Sequence, residues 1–182
     1  PDCSNMCHES SGVALSESIG IGKGTVTLED FNSADLIIVV GQNPGTNHPR
    51  MLTALRDAKK KGASIISVNP LVETGMKKFK HPQNPVEMLG FGSSIADKHL
   101  RVKINSDQAL FRAFSKSIIE SDKIDKDFIN KYTNGFDNFR KIAIESRYEE
   151  ISEITGIPLQ EILEISQKVS KSKSTIVCWA MG

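Results

Sequence analysis

The chain lacks the long hydrophobic run that a membrane helix requires. Nowhere do about 18 apolar residues follow one another, so no transmembrane span is expected. A charge excess is missing too: 23 Lys and Arg are matched by 22 Asp and Glu spread along the chain, for a net charge of +1. Nucleic acid is therefore not an expected partner. Cysteine is scarce and odd in number, three in all. That excludes a disulfide framework and makes a reducing, cytoplasmic compartment the default. No basic segment followed by an apolar one opens the chain, so no leader is read in it. Neither GxGxxG nor GxxxxGK[ST] occurs, which removes the standard dinucleotide fingerprint and the P-loop. An initiator Met is also absent, and with the end at CWAMG this suggests a piece of a longer protein.

What is present reads as α/β. ADLIIVVG (Ala34–Gly41) is a short β-branched run closed by Gly, the mark of a buried strand. The polar loop GQNPGTNHP follows. Pro49–Lys61 then has helical periodicity, with Met51, Leu52, Leu55 and Ala58 on one face, lysines in the last turn and Gly62 as C-cap. Ala63–Asn69 is a second strand ending at Pro70. This strand–loop–helix–strand unit predicts parallel strands joined by a right-handed crossover.

Leu71–Ala96, rich in Pro, Gly and Lys, reads as an irregular surface insertion. Its lysines Lys77, Lys78 and Lys80 form either a solvated loop or an interaction surface. Leu100–Ile104 alternates like a third strand. Ser106–Glu120 reads as an amphipathic helix capped by Ser106 or Asp107, with Ala109, Leu110, Ala113, Phe114, Ile118 and Ile119 as its apolar face. Helices are also expected over Lys126–Tyr132, Gly135–Arg147 and Pro158–Lys171, the last with Thr155 as cap, and a final strand over Ser174–Trp179. The whole predicts a single α/β domain over residues 1–182, a Rossmann-like layered sandwich with a mainly parallel sheet and C-terminal helices.

In such sheets ligands bind outside the carboxyl ends of the strands. Three polar loops qualify: Gly41–His48, Val68–Val72 and Asn105–Asp107. Gly41 and Gly45 admit close backbone approach. The helix start at Pro49 offers N–H groups to a phosphate. Asn43, Asn47, Asn69 and Asn105 carry amides able to read a base or ribose. The same residues also make ordinary turns, so the loops alone leave a nucleotide site and plain turn chemistry both open.

The opening PDCSNMCHESSGVAL places Cys7 and His8 side by side. The spacing C-S-N-M-C-H is one residue too long for a c-type haem tether. His48, His81, His99 and Cys178 are scattered, which makes a structural zinc site weak. A thiolate beside a His, just before a helix over Ser10–Leu15, suits a reactive or metal-ligating cysteine. An inert cysteine beside a surface histidine is the alternative.

CHESSGVALSESIGIGKG, followed in order by DLIIVVGQNPGTNHP, ISVNP and NSDQAL, resembles the catalytic subunit of molybdopterin-dependent oxidoreductases of the formate dehydrogenase type. The resemblance spans essentially the whole chain. Its finer marks, DCSNMCHE and an N-P-L turn with the insertion HPQNPVEMLGFGS before IAD, are similar to a branch of formate-dehydrogenase-like alpha subunits.

The resemblance implies that Cys7 ligates molybdenum or tungsten and that His8 takes the proton as substrate is oxidised. It implies that Gly41, Asn43, Pro44, Asn47, His48 and Pro49, matching G-x-N-P-x-x-x-H-P, bind part of a molybdopterin guanine dinucleotide. Asn69 and Pro70, then Asn105, Ser106 and Asp107, would add contacts. WAMG is similar to the family's W-G-M-G. Asn69 stands where the family more usually has Asp, and Leu71 where it has Arg. A small-molecule substrate, an electron-transfer partner and a 4Fe-4S cluster in an upstream domain are implied as well. This piece alone is then expected to be inactive. Rival readings are a metal-free nucleotide-binding α/β module, with Cys7 and His8 incidental, and a non-catalytic scaffold.

Overall fold

A computed structural model describes residues 8–80 and 94–179. The chain divides into two compact units, Pro1–His99 with Ile176–Gly182, and Leu100–Thr175.

The first unit is built on a four-stranded parallel sheet in the order β3-β2-β1-β4. Its strands are β1 (Leu36–Val40), β2 (Ser64–Val68), β3 (Lys98–Leu100) and β4 (Thr175–Trp179). β1 and β2 pair in parallel from Leu36 opposite Ser64 to Val40 opposite Val68. Both are buried on both faces, which is why they read as unbroken apolar runs rather than alternating ones. On one face Ile37, Val39 and Ile65 pack with Leu52, Leu55 and Ala58 of helix α3 (Pro49–Lys60). Each fully buried aliphatic side chain contributes about 1.5–3 kcal/mol. On the other face Leu36, Ile38, Ile66 and Val68 are equally buried.

Helix α1 (Glu9–Ile19) precedes the sheet, with His8 at its N-cap and Gly20 closing it in the left-handed conformation. A 3-10 turn follows at Glu29–Asn32. Between β1 and α3 the expected loop contains a one-turn helix, α2 (Pro44–Asn47), and a second such turn, α4 (Thr74–Lys77), follows β2. Within the stretch expected to be a surface insertion, Met76, Ile95 and Ala96 are core residues. Residues 81–93, including the HPQNP segment, lie outside the described residues.

The third strand sits two residues earlier than expected and is shorter, Lys98–Leu100. Beyond it the backbone leaves the sheet: Lys103 N–H donates to Thr155 O at 2.9 Å, and Ile104 is 86% exposed. At the strand's other flank Asp97 serves as a lock. Its carboxylate accepts from Ile65 N–H at 2.8 Å and pairs with Lys59 at 2.7 Å.

The second unit is helical: α5 (Asp107–Glu120), α6 (Lys126–Tyr132), α7 (Phe136–Glu145), α8 (Tyr148–Thr155) and α9 (Leu159–Lys171). α5 packs on α7, α8 and α9, burying Leu110, Ala113 and Phe114, while α9 buries Ile162, Ile165 and Val169. Helix α8 was not expected. Thr155, expected as the cap of α9, instead ends α8 and donates its hydroxyl to Ile151 O at 2.7 Å. Pro158 holds the cap position of α9.

Candidate functional site

The strand order β3-β2-β1-β4 changes direction between β1 and β4, and the crevice beyond their carboxyl ends is where open α/β sheets bind ligands. The chain places three of its elements there. Gly41 leaves β1 with φ of 63°, a left-handed turn that Gly adopts without cost, and its N–H donates to Val68 O at 2.8 Å. The next residue, Gln42, donates its Nε2–H to Trp179 O at the end of β4, 2.9 Å away. The Trp179 indole N–H in turn donates to Ser11 Oγ on α1 at 3.1 Å. The start of α1, with exposed His8 at its N-cap, is thereby tied to the crevice. Cys7 and Cys3 lie outside the described residues.

Two of the four expected amide ligands are engaged inside the protein. Asn43 caps α2, accepting from Thr46 N–H at 3.3 Å, and its Nδ2–H donates to Glu73 Oε2 at 2.7 Å. Asn69 forms an Asx turn, accepting from Leu71 N–H at 2.9 Å, while its Nδ2 lies 3.5 Å from Gln42 O. Pro44 is buried as the first residue of α2, and Pro70 follows Asn69 on the exposed surface. Asn47 and His48 carry exposed side chains. His48 also supplies backbone, accepting from Met51 N–H at 2.8 Å. Pro49 has no N–H, so of the donors a helix start offers, one is missing here and one is used internally.

Asn105, Ser106 and Asp107 belong to the second unit. Asn105 takes φ of 65°, a conformation its short amide tolerates. Ser106 is buried, and its hydroxyl donates back to Lys103 O at 2.5 Å instead of capping α5. Asp107 opens α5, where its charge suits the helix dipole.

Beside the β1 loop lies a groove of about 1150 Å³ lined by Gln42, His48, Arg50, Phe31, Met51 and Phe79, among others. A mainly apolar lining with a few polar side chains suits a flat heterocycle. The Gln42 Oε1 is buried and has no hydrogen-bond partner, and an unmet acceptor costs about 1–3 kcal/mol. The fold carries that cost, because an oxygen shielded from solvent is equally shielded from a ligand in the groove. His48 and Arg50 add a hydrogen-bonding ring and a cation to the lining, so the residues present fit a flat heterocycle that carries an anionic group.

Among the described residues no three His, Cys, Asp or Glu side chains gather as a metal site. Cys178 on β4 is partly buried and its thiol is pushed up to about 11 by that burial, so it stays protonated near neutrality and is a poor ligand or nucleophile. Sequence reasoning passed over Gln42, Ser11, Glu73 and Trp179. Gln42, Trp179 and Ser11 lay in motifs already noted, whereas Glu73 had no local signal.

These features define an α/β layered fold on a four-stranded parallel sheet, with polar loops gathered at its topological switch point. A molybdopterin oxidoreductase family model matches residues 2–181, and the chain belongs to that family. Membership implies a molybdopterin-type cofactor carrying molybdenum or tungsten. The chain is 45% identical over 188 residues to an uncharacterized oxidoreductase of Mycobacterium tuberculosis, covering 100% of this chain and 24% of that protein. It is 44% identical over 193 residues to protein YdeP of Escherichia coli, 100% and 25%. Formate dehydrogenase H of Escherichia coli is 31% identical over 181 residues, 99% and 23%. The chain thus spans about a quarter of the length of these relatives. Among solved structures, acetylene hydratase from Pelobacter acetylenicus superposes with a TM-score of 0.74 at 22% identity, over 97% of this chain and 22% of that one, which establishes the fold.

Proposed function

We propose that this chain is the cofactor-binding part of a longer bis-molybdopterin guanine dinucleotide oxidoreductase that resembles formate dehydrogenase and carries out a two-electron oxidoreduction of a small substrate. The observation that carries the reading is the molybdopterin oxidoreductase family match over residues 2–181, supported by exposed Asn47 and His48 in the loop that follows β1, beside a largely apolar groove.

On this reading, Cys7 is the thiolate ligand, a soft donor suited to the metal. The cofactor supplies the electron transfer. His8, exposed at the head of α1, accepts the substrate proton on its imidazole and passes it to solvent. Gly41 brings backbone close to the cofactor, and Asn47 and His48 hold its polar edges. Pro44 and Pro70 stiffen the turns, while Asn43 and Asn69 support them from within. Asn105, Ser106 and Asp107 are further residues that the reading assigns to the cofactor. A 4Fe-4S cluster in another domain would pass electrons onward, and this piece alone would be inactive.

The test is to express the longer protein anaerobically and measure metal and released pterin–guanine nucleotide. Roughly one molybdenum or tungsten per chain with about twice as much guanine nucleotide is the expected result. Clean, folded protein with neither refutes the proposal.

A further inference from the structure

The α2 turn, Pro44–Asn47, has an ordered shape that its own length does not explain. Four residues close a single helical turn, and helices that short do not persist in water on their own. Two contacts hold it. Gly45 and Gly75 meet backbone to backbone: a Cβ on Gly75 would stand 2.8 Å from Gly45 Cα, and one on Gly45 would stand 3.1 Å from Gly75 Cα. Beside that contact both ends of the Asn43 amide are used, the oxygen by Thr46 N–H and the nitrogen by Glu73. The 2.7 Å bond to Glu73 is short and charge-assisted, the stronger class of hydrogen bond. Glu73 makes no side-chain cap to its own helix, α4.

We infer that Glu73 is the positioning residue of this loop: through Asn43 it sets the α2 turn, and with it the backbone that carries Asn47 and His48. Its bearing on the cofactor rests on the function proposed above. The clasp itself rests only on the geometry.

Amide exchange over residues 44–48 of the longer protein tests the clasp, and pterin and metal content test the reading it serves. Glu73→Ala should speed exchange at Thr46 and Asn47 by about tenfold or more, leave α5–α9 unchanged and lower cofactor retention. Glu73→Gln keeps an acceptor for Asn43 and should restore most of the protection. Asn43→Asp keeps the Thr46 cap but sets two carboxylates face to face. Its protection should be lost at neutral pH and recover as the pH falls and the pair comes to share a proton, a pH profile that a plain packing defect would not give. The Asn43→Asp profile decides the matter if Glu73→Ala does not fold. Unchanged exchange in Glu73→Ala, or a flat pH profile in Asn43→Asp, overturns the inference. Wild-type protein that holds no pterin while these exchange effects appear would instead overturn the function and leave the clasp standing.

Discussion

Replacing Gly75 by Ala probes the crossing of α2 and α4 most directly. The new methyl carbon would lie 2.8 Å from Gly45 Cα and 3.2 Å from Gly45 N. Carbon atoms at rest sit about 3.5–4.0 Å apart, so one turn must retreat by roughly 0.7 Å or more. The obstacle is backbone, which cannot rotate away like a flexible side chain. Overpacking of this kind costs about 1–3 kcal/mol. Gly75 lies in a helical turn without positive φ, so Ala returns at most about 1 kcal/mol of helix propensity. The net expectation is destabilisation by about 1–2 kcal/mol, or about 2–8 °C in melting temperature for a chain of this size. Gly12, inside α1, is the control: a Cβ there meets nothing within 4 Å, and Gly12→Ala should stabilise by about 0.5–1 kcal/mol. Urea unfolding of both variants, with amide exchange at residues 44–48, reads the difference. If Gly75→Ala is as benign as Gly12→Ala, the two turns do not touch as described and the argument for a preformed loop fails.

Three further outcomes follow from titratable groups. Burial pushes the Asp97 carboxyl up, but hydrogen bonds from Lys59, Ile65 N–H and Ser64, with the Lys59 charge, outweigh it and leave it below its ordinary 3.8. A depressed carboxyl contributes stability that is present above the unfolded value and lost as pH falls through the folded one, so urea midpoints should fall below about pH 4, and more gently in Asp97→Asn. His99 is held below 6.5 by burial and then by Lys77, and its Nδ1 is buried without a partner. Its contribution is complete above about pH 6.5 and declines as pH falls through the lower folded value; His99→Gln should flatten that slope in the same titration. Cys178, raised to about 11 by burial, should resist iodoacetamide at pH 8 in the native chain and react readily in urea, and equal native and denatured rates would contradict its placement.

Most of the fold could be read from periodicity. β1, β2 and α3 fell where short apolar runs and helical spacing put them, because each is dominated by burial and bounded by Gly or Pro. The errors occur where tertiary contacts override local signals. β3 is pinned by Asp97 rather than by its own alternation. Helix α8 was hidden because its only buried residues are Ile151 and Thr155, too few to print an apolar stripe, and the hydroxyl of Thr155 looked like a cap. The turns α2 and α4 are too short for any periodicity to register. Their partnership joins Asn43 to Glu73 across thirty positions, a separation that no spacing rule connects.

The loop chemistry carries one further consequence. Asparagines in a polar loop at a strand end invite assignment as ligands, yet Asn43 and Asn69 use their amides to shape the backbone. What the motif exposes is different: the Asn47 and His48 side chains and the Gly41 turn. Gln42 occupies the position that the G-x-N-P pattern leaves unspecified, and it is held by Trp179 from β4, the strand on the other side of the switch point. A residue there can differ among relatives without disturbing the turn, because the turn is secured by Asn43 and by the glycine contact instead. Separating the residues that build the loop from those that face outward lets one scaffold keep its geometry while its contacts vary.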